Sequence, residues 1–433
     1  MSIVIGRATV SSRTAMLALV GLMASGLALP PAAAATAQVS GSTVSYERPD
    51  LLGAQLLAST SGHRVLVTGM TSETSQSWVN PDGTVSVEQA AGPVRIQRGD
   101  KWLDVDTTLR TDKGIVTPSA TPASIAFSAG GDTALASVKL ASGKVSLGWT
   151  GTLPTPTLSR DRATYADVAP GVDLVVQALP MGFEQSIVLK SRPSSTPTFR
   201  LPLAMTGVSS TALGSGDLEL RDAKTGSRVG DIGVPVMFDS ANTIRPNSAK
   251  MSASVSTNSD GSQVLALTPD AKLLNDPTTV YPVTLDPVTT LSSTADTYVS
   301  AVNSSTNYGM APNLWVGQLS SNSSDDYRGL VRFSASGLTA LAGKQIVQAS
   351  VRLDQNMSNS CTPTQTSFYQ VTASWTSTAA TWANQPSINA TSVGSFTASS
   401  GGACGAHAYQ ATASTSGMTS LVSGWANGTN TNN

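Results

Sequence analysis

Thr294-Ala295-Asp296-Thr297-Tyr298-Val299 opens the stretch on which the reading of this chain turns. It is followed by Asn307-Tyr308-Gly309, Leu314-Trp315-Val316-Gly317 and Arg328-Gly329-Leu330-Val331-Arg332-Phe333. Aromatic and β-branched residues gather in short runs, and Val331 alternates with Phe333, the period-two pattern of a strand with one buried face. Asn307-Tyr308-Gly309 reads as a turn between two such runs.

Working outward, the same style continues through Gln348-Ala349-Ser350-Val351-Arg352-Leu353, the run from Val371 to Pro386, and Leu421 to Thr429. In the order "TADTYV", "NYG", "LWVG", "RGLVRF", "QASVRL", "VTASWTSTAATWANQP" and "LVSGWANGT", the pieces span about 140 residues. Together they resemble the DNRLRE-type secreted module, which is grouped with jelly-roll carbohydrate-binding modules of family 96. The resemblance implies a jelly-roll β-sandwich over residues 291–433, extracellular and non-catalytic, with polysaccharide or cell-wall glycan as partner. Such modules add a further turn and a closing apolar strand after the equivalent of Thr429. Here the chain runs Asn430-Thr431-Asn432-Asn433, so the module is expected to be incomplete at its last strand and to come from a longer protein.

Residues 38–290 read as a β-rich domain. Asn80-Pro81-Asp82-Gly83 is a turn signal ahead of Val85 and Val87 alternating with Ser86 and Glu88, and Arg98-Gly99-Asp100-Lys101 turns the chain between two further short runs. Val172-Asp173-Leu174-Val175-Val176 and Val264-Leu265-Ala266-Leu267 continue the pattern, while Leu51 to Leu57 suits a short helix. The stretches from Trp78 to Leu109, Ala163 to Pro193 and Tyr281 to Pro287 resemble the leader region that precedes DNRLRE, LamG-like or RHS-repeat modules in large secreted actinobacterial proteins. The expected fold class is therefore all-β: a β-rich N-terminal domain followed by a sandwich.

Residues 1–37 read as a secretory signal. Arg7 and Arg13 precede the uncharged, largely apolar run from Met16 to Leu29, and small residues follow. That run is shorter than the roughly 20 residues of a membrane span, and no later span is expected once the signal is removed. Export makes the two cysteines legible: Cys361 and Cys404 should pair in an oxidising compartment, and closing that loop would stabilise by roughly 3–4 kcal/mol. The mature chain would carry a net charge of −3, because Arg7 and Arg13 leave with the signal. That near-balance gives no basic surface for a nucleic acid.

Catalysis finds little support. His63 and His407 are the only histidines, and neither stands in a motif that activates a nucleophile. Glycoside hydrolysis needs two carboxylates across a cleft; Asp104 and Asp106, two apart on a strand, point to the same face, and a solvated strand face is the favoured reading. From Gln355 to Asn433 there is no Asp, Glu, Lys or Arg, which disfavours acid–base chemistry and suits neutral recognition of a polar ligand. The expectation is a non-enzyme without cofactor or metal, Asp296 and Asp326 being the only tempting calcium ligands. Sugar sites set aromatic faces against a pyranose and polar groups against its hydroxyls. Tyr298, Tyr308, Trp315, Tyr327, Trp375, Trp382 and Trp425 supply candidate rings; Tyr308, flanked by Asn307, with Tyr298, Asp296 and Arg332 nearby in the pattern, is the expected binding set, while Trp382, Trp425 and Phe333 are expected in the core. The competing readings are a structural stalk of an RHS-repeat surface protein or toxin, and the targeting part of a polysaccharide-degrading enzyme.

Overall fold

The computed structural model describes residues 7–9, 45–139, 143–212, 218–233, 235–241, 247–260, 262–286, 288–290, 296–309, 313–318, 326–333, 338, 341–358, 360–377, 379–406 and 408–430. Most of the expected signal segment, and His407, lie outside them. The described chain is all-β with antiparallel sheets predominating, consistent with a sandwich. Among the described residues, no helix is long and apolar enough to cross a membrane.

Residues 106–290 build two sheets face to face. One runs through eight strands from Ser252–Thr257 to Asp106–Asp112, and the other centres on Arg162–Ala169, Val172–Leu179 and Gly182–Leu189. The strict alternation of buried and half-buried residues along Val172–Leu179 is what a strand with one face on a core produces. Phe127 of the first sheet meets Phe183 of the second edge-to-face, with ring centroids 6.0 Å apart, and both belong to one large apolar core. Tyr165 is fully buried, and its hydroxyl donates to the Ser128 carbonyl at 2.7 Å, so the polar tip of a core aromatic is satisfied across the sandwich.

The predicted turns fall where the sequence put them. Asn80–Gly83 joins the strands Ser75–Val79 and Val85–Gln89, with Gly83 at φ 79°, a left-handed conformation that glycine adopts without strain. Arg98 and Asp100 flank the turn between Arg95–Arg98 and Lys101–Asp104, so the tripeptide Arg98-Gly99-Asp100 is a hairpin tip. The short helix also forms, over Leu51–Ser61, capped by the Asp50 carboxylate accepting from the Gly53 amide at 2.8 Å.

A second core takes side chains from both sides of residue 290. Ala54, Ala58, Val65, Val79 and Val87 pack with Phe333, Leu341, Val351, Met418 and Val422. A six-stranded sheet follows the same path, with Arg7–Thr9 lying between Val85–Gln89 and Gln345–Gln348. The helix Ser416–Ala426 that closes this core was not anticipated, because its residues were read only as a family pattern. Thr415 is its N-cap, accepting from the Met418 amide at 3.1 Å, and Met418, Leu421 and Val422 are buried. An N-cap threonine followed by apolar residues at positions three, six, seven and ten beyond it (Trp425 being the last) is a legible helix signal.

Apart from Gln345–Gln348, the described strands beyond 290 form three small antiparallel sheets. They join Asp296–Ser300 to Asp326–Val331 and Gly317–Gln318, Arg352–Gln355 to Ala408–Ala411, and Thr364–Val371 to Ile388–Ala398. Cys361 and Cys404 are disulfide-bonded as expected, pinning the loop before Thr364–Val371 to the turn after Ile388–Ala398. With a sequence separation of 43, replacing both cysteines by serine should destabilise the chain by about 3–4 kcal/mol in the chain-entropy treatment. Urea midpoints of the variant against the oxidised parent would check this.

A half-buried polar row, with Arg162 exposed at its end, crosses one sheet of the first domain. Arg162, Gln177 and Glu184 stand side by side on neighbouring strands, with Asp286 at the end of the strand that pairs with Gly182–Leu189. Burial, then the charge of Glu184, pushes the Asp286 carboxyl up to about 8 against the opposing pull of Arg162; burial raises Glu184 as well. The Asp286 Oδ1 atom is buried without a hydrogen-bond partner. The folded state therefore holds this proton more tightly than the unfolded chain, whose carboxyl titrates near 3.8. Stability from the neutral group is complete below about pH 4 and falls as pH rises towards about 8. Asp286→Asn should leave the melting temperature almost unchanged at pH 4 and raise it at pH 8 by several degrees, on the scale of about 2–4 °C per kcal/mol. Thermal melts of both proteins at the two pH values would measure it.

Candidate functional site

The strand Asp326–Val331 organises the region where a ligand could sit. Successive side chains point to opposite faces, so Tyr327, Gly329, Val331 and Phe333 share one side and Arg328, Leu330 and Arg332 the other. On the first side Tyr298 stacks on Tyr308, with ring centroids 4.2 Å apart and planes 16° apart. Trp315 and Tyr327 extend the group, 6.3 and 6.0 Å from Tyr298. Tyr298 lies directly opposite Gly329, which leaves room for the rings; a Cβ on Gly329 would meet Val316 Cγ1 at 3.1 Å.

On the second side Leu330 packs with Val299 and Ala380, and with the half-buried Trp375 and Trp382. The Arg328 guanidinium lies 4.6 Å above the Trp382 ring, and its Nη1 donates to Gln385 Oε1 at 2.9 Å. Arg332 lies 4.9 Å above Trp375 and donates to that residue's carbonyl oxygen.

Of the expected binding set, Tyr298 and Tyr308 come together by stacking, while Asn307 and Arg332 bond to the segment from Trp375 to Ala380. Asn307 donates through Nδ2 to the carbonyls of Ser377 and Ala380, at 2.6 and 2.7 Å, while its Oδ1 accepts from the Gly309 amide. It clamps the turn onto the segment carrying Trp375 and Trp382. Gly309 permits the approach, since a Cβ there would run into the Ser377 carbonyl oxygen. Tyr298 is 9% exposed, and burial raises the phenols of both Tyr298 and Tyr308 above their ordinary value. Asp296 begins the strand Asp296–Ser300, its carboxyl raised by burial. Asp326 accepts from Gln318 Nε2 at 2.7 Å. Among the described residues, no group of three or more His, Cys, Asp or Glu stands close enough to hold a metal. Phe333 is buried as expected, against Trp425 at 6.0 Å, while Trp425 and Trp382 are only half-buried.

Trp315 and Tyr327 are among the aromatic candidates of the sequence, whereas Arg328 was not singled out. These three and Gln385 are among the residues lining an open cleft of about 1830 Å³ between the three small sheets. Arg328 is exposed and the rings are half-buried. The signal was the strand's periodicity: it separates Tyr327 and Arg328 onto opposite faces, so both reach the cleft only where the strand edge does.

The carboxylate pair considered for glycoside hydrolysis does not share a strand. Asp104 ends the strand that pairs with Arg95, whereas Asp106 begins a strand of the eight-stranded sheet, opposite Ala120. Hydrogen bonds from the Thr108 side chain and then from the Thr108 amide, the latter at 2.9 Å, hold the Asp106 carboxyl below its ordinary value, which is the wrong direction for a general acid. His63, after the left-handed Gly62 that ends the helix, tilts against Tyr46 at 4.5 Å.

Residues 287–416 match carbohydrate-binding module family 96. The chain is also 32% identical over 156 residues to the tRNA nuclease WapA of Bacillus subtilis strain 168, and 32% identical over 162 residues to the tRNA3(Ser)-specific nuclease WapA of Bacillus spizizenii. These alignments cover 35% and 36% of this chain but only 6% and 7% of those proteins, so the chain spans a small fraction of their length. No solved structure gives a significant match.

Because Asn307 satisfies two carbonyls at once, Asn307→Ala should strip both of their partner. The expected loss is about 2–4 kcal/mol, taking roughly 1–2 kcal/mol per orphaned group. Chemical denaturation followed by tryptophan fluorescence would report it through Trp375 and Trp382.

Proposed function

We propose that residues 291–433 form a non-catalytic, extracellular module that binds polysaccharide or cell-wall glycan in the cleft. The observation that carries the reading is that the pairs Trp315–Tyr327, with ring centroids 5.6 Å apart, and Arg328–Gln385, hydrogen-bonded at 2.9 Å, both line the cleft, within the stretch similar to carbohydrate-binding module family 96. Ring faces offer apolar contact to a pyranose, while a guanidinium and an amide offer donors and an acceptor for its hydroxyls. The charge-free sequence beyond Asp354 supports recognition over catalysis. Secretion behind the signal read in residues 1–37 belongs to the same proposal.

A second reading is favoured by a separate observation. The similarity to tRNA nucleases, confined to 6–7% of their length, supports a structural segment within a larger surface protein or toxin of the RHS-repeat kind. Its nuclease would lie elsewhere in such a protein.

Affinity electrophoresis of residues 38–433 against acidic polymers, cell-wall glycans and neutral glucans separates the two. The binding reading expects retardation by at least one polymer, weakened about tenfold or more, a loss of about 1.4 kcal/mol, by Trp315→Ala and by Arg328→Ala. Migration unaltered by every polymer, from protein shown to be folded, would leave the structural reading.

A further inference from the structure

The sequence contains two Asp–Pro bonds, Asp276–Pro277 and Asp286–Pro287. Such a bond is a tertiary amide whose nitrogen carries no hydrogen, and on cleavage that nitrogen leaves as a secondary amine. The aspartate before it carries a carboxylate within reach of its own carbonyl carbon, and carboxylates act as nucleophiles in covalent catalysis. Attack needs an ionised carboxyl, donors for the carbonyl oxygen as it gains charge, and access for water. The fold supplies all three at Asp276.

Asp276 follows the short helix Ala271–Asn275 with extended backbone, φ −61° and ψ 128°, as a residue before proline does. Asp276, Pro277 and Thr278 are exposed. The Thr278 hydroxyl and amide both donate to Asp276 Oδ1, at 2.6 and 2.8 Å, and in that order they hold the carboxyl below its ordinary value. Both bonds fall on Oδ1, which leaves Oδ2 to attack. The Asp276 carbonyl oxygen accepts from Arg192 Nη2 at 2.7 Å and from the Thr279 amide at 3.1 Å. Arg192 stands 84 residues earlier in the chain, and its Nη1 also holds the Asn275 carbonyl at 3.0 Å. Thr279 is buried, and its hydroxyl donates to the Leu273 carbonyl at 2.6 Å. A guanidinium and a backbone amide thus grip one carbonyl oxygen, the kind of donor pair that stabilises an oxyanion. Capping of the helix end accounts for the guanidinium by itself. Its meeting with an ionised carboxylate and a proline nitrogen at one carbonyl carbon is what gives the group a chemistry.

We propose that Asp276–Pro277 is a self-cleavage site, at which the chain divides into two segments that stay assembled. Oδ2 attacks the carbonyl carbon of Asp276, closing a ring through Cγ, Cβ and Cα, and the carbonyl oxygen takes the negative charge between Arg192 and Thr279. Collapse breaks the C–N bond: the proline nitrogen takes a proton from solvent, and a cyclic anhydride remains. Water then opens the anhydride to give a C-terminal Asp276 and an N-terminal Pro277. One water is consumed overall, and nothing is oxidised or reduced. The strand Val283–Asp286 pairs with Gly182–Leu189 and Val236–Phe238, which keeps the segment after the cut in the sheet of the segment before it. Asp286–Pro287 is the contrast: burial, then the charge of Glu184, pushes the Asp286 carboxyl up to about 8, and the neutral acid is a poor nucleophile. The proposal does not rest on what the cleft binds.

The test incubates residues 38–433 at about pH 4, near the midpoint of an ordinary aspartate, both folded and in urea. Mass spectrometry counts the new N-termini at Pro277 and Pro287, and circular dichroism confirms the folded state. In the folded protein Pro277 should appear about tenfold faster than Pro287, and about tenfold faster than it does in urea, a modest share of what oxyanion donors supply in a dry site. In urea the two bonds should break at similar rates. Arg192→Gln should slow the folded reaction at Asp276 by about tenfold, as loss of one donor does, and leave the rate in urea unchanged. Native size exclusion should keep the cleaved segments in one peak; two peaks would overturn their assembly. Equal rates at the two bonds in folded protein, or cleavage at Asp276 no faster folded than in urea, would overturn the proposal. So would a folded Arg192→Gln protein that cleaves like the parent. Should that variant not fold, the comparison of folded with unfolded parent decides alone.

Discussion

The strand Asp326–Val331 serves two cores at once, and the architecture beyond residue 290 follows from that constraint. Leu330 enters the small core around Val299 and Ala380, while Val331 and Phe333 enter the larger one closed by the helix Ser416–Ala426. A shift of one residue in its pairing would exchange the two sets and put Arg328 and Arg332 where Val331 and Phe333 now pack. The register with Asp296–Ser300 is thus fixed from both faces. The same parity lays the two guanidiniums over Trp382 and Trp375 and gathers four aromatic rings on the reverse side.

Much of the fold was legible because it depends on local periodicity and turn chemistry. Val172–Leu179, the turn at Asn80–Gly83 and the helix at Leu51 each follow from neighbours in sequence. The candidate site was less so, for a physical reason. Asn307 and Tyr308 look like an exposed turn, yet the acceptors that engage Asn307 lie some 70 residues away, at Ser377 and Ala380. Nothing local in the sequence announces such a clamp. Pairing Asp104 with Asp106 on one strand failed differently: Val105, whose amide bonds the Val94 carbonyl at 2.9 Å, is where the chain passes from one sheet to another. A two-residue spacing carries no face information across such a break. The joining of the helix Leu51–Ser61 to side chains beyond residue 330 is likewise a long-range fact that strand patterns cannot reveal.

The two halves solve the problem of polar groups in opposite ways. The first domain buries ionisable groups, with Glu184 and Asp286 near Arg162, and its stability therefore depends on proton activity. Beyond Asp354 there is no ionisable Asp, Glu, Lys or Arg to bury, and orphaned backbone groups are met by hydroxyls and amides instead. Thr381 and Asn384 cap each other's backbone at the turn after Ala380. Thr415 caps the last helix, and Asn427 reaches back to the Gly343 amide at 2.9 Å. Neutral donors and acceptors are nearly insensitive to salt and pH, and they need no counter-charge when a cavity is opened beside them. In the cleft wall such neutral residues stand beside the charged Arg328, Arg332 and Asp354.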